Sequence, residues 1–371
     1  MKRKELFVVA VVCAMCAATA DAAYRVISVT RTDLGFLPGG SDADAYDINN
    51  RGQIVGLATN RFGSERGFMY DTGLMFDVTA STGPNHSAAF GINRDGTVVG
   101  FFSDSTLAAH AYRWDRGVLT PLAEPPSPFN VDSWANAIGD NGHIVGEVMY
   151  SGAGIGGLSV ATMWTDPATS FPIDPALEAD RFWSYAKDVD ALGRAAGYDI
   201  GLERPWLWKP FSLPHEQVPA LRAPPFDGYF LVATEPWGLH ESSGVVGTMT
   251  FATKPDAYKS RAFFWDGVRA SSVDLGAFSS VYSSGADDIN SEGFITGWSQ
   301  QTIPGGGWTF AAFLFHKSFG MYALPQDKYA SCKARALNDR KENGLIQVVG
   351  YCRSGYTDRA IRWNVIVEWV P

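Results

Sequence analysis

Beyond residue 22 the chain has only two cysteines, Cys332 and Cys352, too few soft ligands for a structural metal site and enough for one bridge. After that point no run of 18 apolar residues occurs, so no segment has the length to cross a bilayer as a helix. Basic blocks are missing as well. The net charge is −9, and −10 once residues 1–22 are set aside, which argues against nucleic acid or an anionic membrane as a partner. Neither H-E-x-x-H nor G-x-S-x-G is present, and the histidines, His86, His110, His143, His215, His240 and His316, are scattered along the chain. Charged residues make up 19% and hydrophobic residues 46%, a balance that suits one large closed core.

What the chain has instead is a repeat. Its final glycine falls at Gly56, Gly100, Gly146, Gly197, Gly247, Gly297 and Gly350, which marks seven units of 44 to 53 residues. The clearest unit reads Ala89-Phe-Gly-Ile92-Asn93-Arg94-Asp95-Gly96-Thr97-Val98-Val99-Gly100, then a variable loop, then Ala111-Tyr112-Arg113-Trp114. Unit five has Ser243 where the others have the turn glycine, and unit seven has a longer turn between Asn338 and Gly344.

Each recurring residue has a backbone reason. An Asn or Asp followed three residues later by Gly suits a tight hairpin, the side chain capping the turn and Gly supplying positive φ. Adjacent apolar residues in the second strand, such as Val98-Val99 or Val245-Val246, point to opposite faces, so both faces must be covered. Pairs two apart in the third strand, Tyr112 and Trp114, Trp206 and Trp208, or Phe263 and Trp265, present an aromatic wall to one side. A fourth segment follows turns such as Asp115-Arg116-Gly117. Four short strands at this period predict an all-β propeller of seven blades, with six or eight blades or a β-solenoid as alternatives. Val26–Val29 through Gly35 reads as a fourth strand placed before the first unit and should complete the last blade. Val365–Val370 also reads as a strand and competes for that edge.

Lys2-Arg3-Lys4, the apolar run from Leu6 to Ala18 and Ala20-Asp21-Ala22 have the three parts of a secretory signal, so residues 1–22 are expected to be a leader cleaved near Ala22 and residues 23–371 one repeat domain. The expected location is the periplasm or the extracellular medium. In unit seven, hairpin register by analogy with Ala45 opposite Gly56 sets Ala334 opposite Gly350. Two residues further out, Cys332 faces Cys352, close enough for a disulfide.

The opening Asp33-Leu34-Gly35-Phe36-Leu37-Pro38-Gly39-Gly40, the Ile-Asn-x-x-Gly-x-Val-Val-Gly hairpin and His110-Ala111-Tyr112-Arg113-Trp114 together resemble the bacterial extracellular HAF-repeat family across the whole mature chain. The resemblance implies an exported, propeller-like protein and carries no catalytic residues over.

Motifs that suggest chemistry have plainer readings. Gly152, Gly154 and Gly157 satisfy G-x-G-x-x-G but lead into a strand, whereas a dinucleotide site needs a helix. Asn93–Gly96 and Asp42–Asp44 lack the further oxygen ligands of a calcium loop, and Asp71–Phe76 reads as a turn. No metal, cofactor or catalytic residue is therefore assigned. Variation concentrates on the face opposite the Asn-x-x-Gly turns, where loops are expected to carry Trp134, Trp183, Trp237, Tyr282, Trp298 and Trp308 as aromatic platforms. The expected function is an exported, monomeric, non-catalytic protein that binds a glycan, a cell-envelope component or an extracellular protein. The alternative is a glycoside hydrolase or lyase using carboxylates, Glu147, Asp199, Glu203 and Asp256, in loops after the second strand.

Overall fold

The computed structural model describes residues 23–370 apart from 84, 128, 153–154, 174–182, 201–203, 211 and 254–256. The expected leader, Phe182, Glu203 and Asp256 lie outside the described residues. The protein is a seven-bladed β-propeller.

Blade 1 comprises Ala43–Ile48, Ile54–Thr59, Glu65–Asp71 and Leu74–Asp77, and blade 2 Ser87–Ile92, Val98–Ser103, Ala109–Asp115 and Val118–Pro121. Blade 3 takes Asn130–Ile138, Ile144–Gly152, Ile155–Asp166 and Thr169–Pro172, and blade 4 Trp183–Val189, Ala195–Ile200, Arg204–Lys209 and Ser212–Gln217. Blade 5 is Phe230–His240, Gly244–Thr253, Ala257–Trp265 and Val273–Gly276; blade 6 is Ser284–Ile289, Ile295–Thr302, Trp308–His316 and Gly320–Ala323. Blade 7 has Ser331–Leu337, Leu345–Ser354 and Thr357–Val370, with Ala23–Asp33 as its outermost strand. The N-terminal strand closes the ring, antiparallel from Ala23 opposite Val370 to Asp33 opposite Ile361. Val365–Val370 does not compete for that edge, because it continues the third strand.

The core is divided into seven apolar clusters, one at each blade boundary. Adjacent second-strand residues separate as their alternation requires: Val98 packs toward blade 1 and Val99 toward blade 3. Aromatic pairs of the third strand keep to one side. Trp206 and Trp208 pack on blade 3, and Phe313 and Phe315 on blade 5.

The recurring final glycine is explained by a bulge in each innermost strand. Register slips there in every blade, between Ala45 and Asp47 in blade 1 and between Ala135 and Ala137 in blade 3, for example. The bulge drives a first-strand carbonyl against the second strand. A Cβ on Gly100 would lie 2.0 Å from the Ala88 oxygen, and one on Gly146 would lie 1.9 Å from the Trp134 oxygen. The Asn turns form as expected: Asn49 Oδ1 accepts from the N–H groups of Arg51 and Gln53, and Gly52 has φ +84°. In blade 7 the tight turn moves outward to Lys341–Gly344, while Asn338 still bonds the Gln347 N–H.

Side chains stitch blade to blade. Ser87, Ser133, Ser184 and Ser284 accept, through Oγ, the N–H groups of Gly67, Ala111, Ala161 and Ala262 in the preceding blade. In blade 7 the corresponding position is Cys332, which is bonded to Cys352 directly across the strand pair.

Replacing Cys332 and Cys352 together by Ala is expected to lower the unfolding free energy by about 3 kcal/mol. Denaturant titration checks this, and a loss below about 1 kcal/mol would show that the bond is not a principal restraint. Gly146→Ala should cost more than about 2 kcal/mol, because backbone rather than a movable side chain occupies the space. An unchanged denaturation midpoint would contradict that reading.

Candidate ligand site at the axial mouth

The bulge also aims side chains at the axis. At the bulge itself, the seven blades contribute Tyr46, Phe90, Asn136, Lys187, Trp237, Asp287 and Arg335. Two residues earlier stand Asp44, Trp134, Tyr185, Glu235 and Lys333. Of these, Tyr46, Phe90, Trp134, Asn136, Tyr185, Lys187, Trp237 and Arg335 line, with Glu147, Met149 and Ser159, a cavity of about 510 Å3 on the face away from the Asn turns.

An aromatic arc lines it from blade 1 to blade 5. Ring centroids are 5.6 Å apart for Tyr46 and Phe90, 5.7 Å for Phe90 and Phe101, and 6.4 Å for Phe101 and Trp134. Tyr185 stacks on Tyr198 at 5.4 Å, and Tyr198 meets Trp237 edge-on at 6.4 Å. Cations sit against these faces. Lys187 Nζ lies 4.9, 5.8 and 5.5 Å from the centroids of Tyr185, Tyr198 and Trp237, while Lys333 Nζ lies 4.5 Å from Trp298 and 4.3 Å from Phe310.

Carboxylates lie in this wall, at Glu147, and around it. Asp44 Oδ2 accepts from Arg335 Nη2 at 3.1 Å. Burial pushes Asp44 up to about 6 against the pull of Arg335, and pushes Asp287 up to about 7 against Arg335 and Lys333. Glu147 and Glu235 are also raised by burial, partly offset by Lys187. Asp44 Oδ1, Asp287 Oδ2 and Arg335 Nε are buried without a hydrogen-bond partner among the described residues. Unspent polar atoms beside aromatic faces suit a ligand that both donates and accepts hydrogen bonds.

Deeper along the axis three carboxylates join blades in pairs. Asp47 Oδ2 accepts the Ile92 N–H at 2.7 Å, Asp188 Oδ2 the Leu239 N–H at 2.7 Å, and Asp288 Oδ2 the Leu337 N–H at 2.9 Å. Burial raises all three, to about 6 for Asp47 and about 8 for Asp288, and their mutual repulsion adds to the rise at Asp188 and Asp288. Beyond them the channel opens between the hairpin turns at a polar mouth of about 180 Å3. No cluster of His, Cys, Asp and Glu among the described residues could hold a metal ion.

The residues predicted from sequence divide. Trp134 and Trp237 line the cavity, but as strand residues rather than loop residues. Trp298 is also in a strand, packed against Phe310 and Lys333. Trp183 and Trp308 begin strands and are 37% and 52% exposed, and Tyr282 alone is in a loop, its carbonyl accepting from Arg261. Glu147 and Asp199 are within second strands, not in the loops that follow them, because these strands run on past the recurring glycine. Glu147 faces the cavity, whereas Asp199 is buried against Trp206. Gly152 ends the second strand of blade 3 opposite Ile155 and Gly157 lies in the third strand, while Gly154 lies outside the described residues. Sequence reading missed Asp44, Lys187, Asp287 and Arg335. Their common signal was position, at the bulge for Lys187, Asp287 and Arg335 and two residues before it for Asp44.

His110 is a separate cluster at the rim, its Nδ1 2.9 Å from Glu124 and its Nε2 3.5 Å from Asp104. Burial opposes its charge, but the two carboxylates prevail and raise it. Ser133 is committed to Glu124 and to the Ala111 N–H, so the group is a bracing network.

No protein-family model matches the chain, nor does any curated protein sequence. Among solved structures it is similar to a puromycin-hydrolysing peptidase of Mycobacterium tuberculosis, at 9% identity and a TM-score of 0.54, over 92% of this chain and 54% of the peptidase. Similarity extends to the β-propeller domain of the trilobed protease of Pyrococcus furiosus, at 8% identity and a TM-score of 0.45 over 88% and 97% of the two chains. The Aleuria aurantia lectin matches at 11% identity and a TM-score of 0.36 over 78% and 96%. At such identities the shared property is the fold. No helix among the described residues is long and apolar enough to cross a membrane.

The axial aspartates give stability a defined pH dependence. An unfolded Asp ionises near its ordinary 3.8, whereas folded Asp288 holds its proton to about 8. The folded state therefore binds more protons between these limits, and stability falls as pH rises through that window. His110, also raised, contributes with the same sign near neutrality. The melting temperature at pH 5 should exceed that at pH 9 by about 2 to 6 °C, and Asp288→Asn should flatten the slope. A melting temperature that rises toward pH 9 would overturn the assignment.

Proposed function

We propose that this chain is an exported, non-catalytic propeller of the HAF-repeat type that binds a glycan in its axial cavity. The observation that carries the reading is the coexistence of aromatic faces in the cavity wall with the buried, unpartnered Nε of Arg335 in that wall and the unpartnered oxygens of Asp44 and Asp287 around Arg335. Sugar rings present C–H faces that stack on aromatics and hydroxyls that donate to carboxylates and accept from guanidinium groups. A peptide or lipid would engage fewer of these groups at once. The signal-like residues 1–22 support export and a periplasmic or extracellular location.

A second reading has an observation of its own. Asp287 near 7 and Asp44 near 6 are poised where a general acid works, as glycoside hydrolysis needs. Binding is favoured because Arg335 already holds Asp44 as an ion pair.

The test is a glycan array with the protein from residue 23 onward, comparing wild type with Trp134→Ala and Trp237→Ala after circular dichroism shows that both fold. Selective binding is expected, weakened tenfold or more in each variant, as for a central aromatic contact. No binding to any glycan would end this reading. Release of shortened sugars from a bound glycan, abolished by Asp287→Asn, would replace it with the enzymatic one.

A further inference from the structure

We propose that the axial cavity takes an acidic glycan, with Lys187 receiving the sugar carboxylate. This rests on the glycan-binding reading and adds the charge class of the ligand. Lys187 projects from the bulge of blade 4 into the cavity and is backed by three rings, those of Tyr185, Tyr198 and Trp237. Ring faces hold an ammonium in place but take up none of its three N–H donors in the strong, directional way that an oxygen does. Among the described residues, no carboxylate or carbonyl oxygen lies within ion-pair or hydrogen-bond distance of its Nζ.

The nearest natural partner is diverted. Asn136 Nδ2 donates both to Glu147 Oε2 and, at 2.9 Å, to the Ala186 carbonyl, which ties Glu147 to the wall of blade 3. Glu147 and Glu235 still attract Lys187 through space without reaching contact. A caged cation with unspent donors, facing the open cavity, is a receptor for an anionic oxygen pair. Beside Arg335 in the wall, the unpartnered oxygens of Asp44 and Asp287 are acceptors for hydroxyls, so the ligand carries its charge at one end and hydroxyls at the other. A carboxylated sugar has that layout. A phosphate monoester would bring a larger negative charge, about −1.5 to −2, against the Glu147 carboxyl already in the wall.

The experiment uses an array of carboxylated oligosaccharides, oligogalacturonate and oligoglucuronate among them, each paired with its methyl ester. Affinities are measured by calorimetry at low and moderate salt for wild type, Lys187→Met and Trp237→Ala. Expected is at least one acid that binds tenfold or more tightly than its ester, with that ratio falling toward one in Lys187→Met, whose side chain keeps the length without the charge. Trp237→Ala should weaken acid and ester together. Equal binding of acid and ester by the wild type, or a ratio unmoved by Lys187→Met, overturns the carboxylate assignment and leaves glycan binding standing. Binding of neither form of any pair, nor of the neutral sugars of the wider array, removes both.

Discussion

The close approach of the two innermost strands governs the rest of this molecule. Each first strand carries one residue more than its partner can pair with, and the excess is absorbed where the partner is glycine. Three consequences come from that one contact. The residue at the bulge turns inward, and in six of the seven blades it lines the axial cavity. The residue after the bulge, when it is Asp47, Asp188 or Asp288, reaches across to a backbone N–H of the next blade. The strand beyond keeps its register, so the adjacent apolar pair of the second strand can serve two neighbouring cores. A methyl group at any of these glycines would disturb site, seam and core together.

Blade boundaries repeat one solution with local substitutions. Serine hydroxyls cap the third-strand N–H groups at four boundaries, and the position passes to Cys332 in the blade that also closes the ring. Carboxylates do the equivalent work nearer the axis, at the expense of bringing ionisable groups together in a narrow channel. Small residues hold the equivalent position in the receiving blades, Gly91, Gly238 and Ala336, and a Cβ there would meet the following blade, 3.1 Å from Ala137 Cα for Gly91 and 2.7 Å from Asp288 Cα for Gly238. Packing and electrostatics are thus set by the same alternation around the ring.

Architecture was legible in the sequence because turns, apolar pairs and the glycine across from the bulge are backbone needs that every unit shares. Register was legible as well, well enough to place Cys332 opposite Cys352 by counting from Ala45 and Gly56. The site was less so, for a physical reason. Its positions point into a shared space where each blade contributes a different group, Tyr46 from one, Lys187 from another and Arg335 from a third, so no motif repeats. Trp134 and Trp237 were found as prominent aromatics and misplaced in loops, because their positions, two residues before the bulge and at it, change residue type from blade to blade and leave no mark in the repeat. Glu147 was misplaced in the same way by an extended second strand.

Closure by the Ala23–Asp33 strand makes the topology strongly non-local, since Ala23 pairs with Val370 and Asp33 with Ile361. Propellers closed this way have high contact order and fold slowly relative to their size. During synthesis, blade 7 lacks its partner strand until the third strand near the carboxyl end has been made, however early the other blades form. The Ala23–Asp33 strand is therefore among the last to find its place, and until it does, the long Thr357–Val370 strand presents an open edge able to pair with another copy.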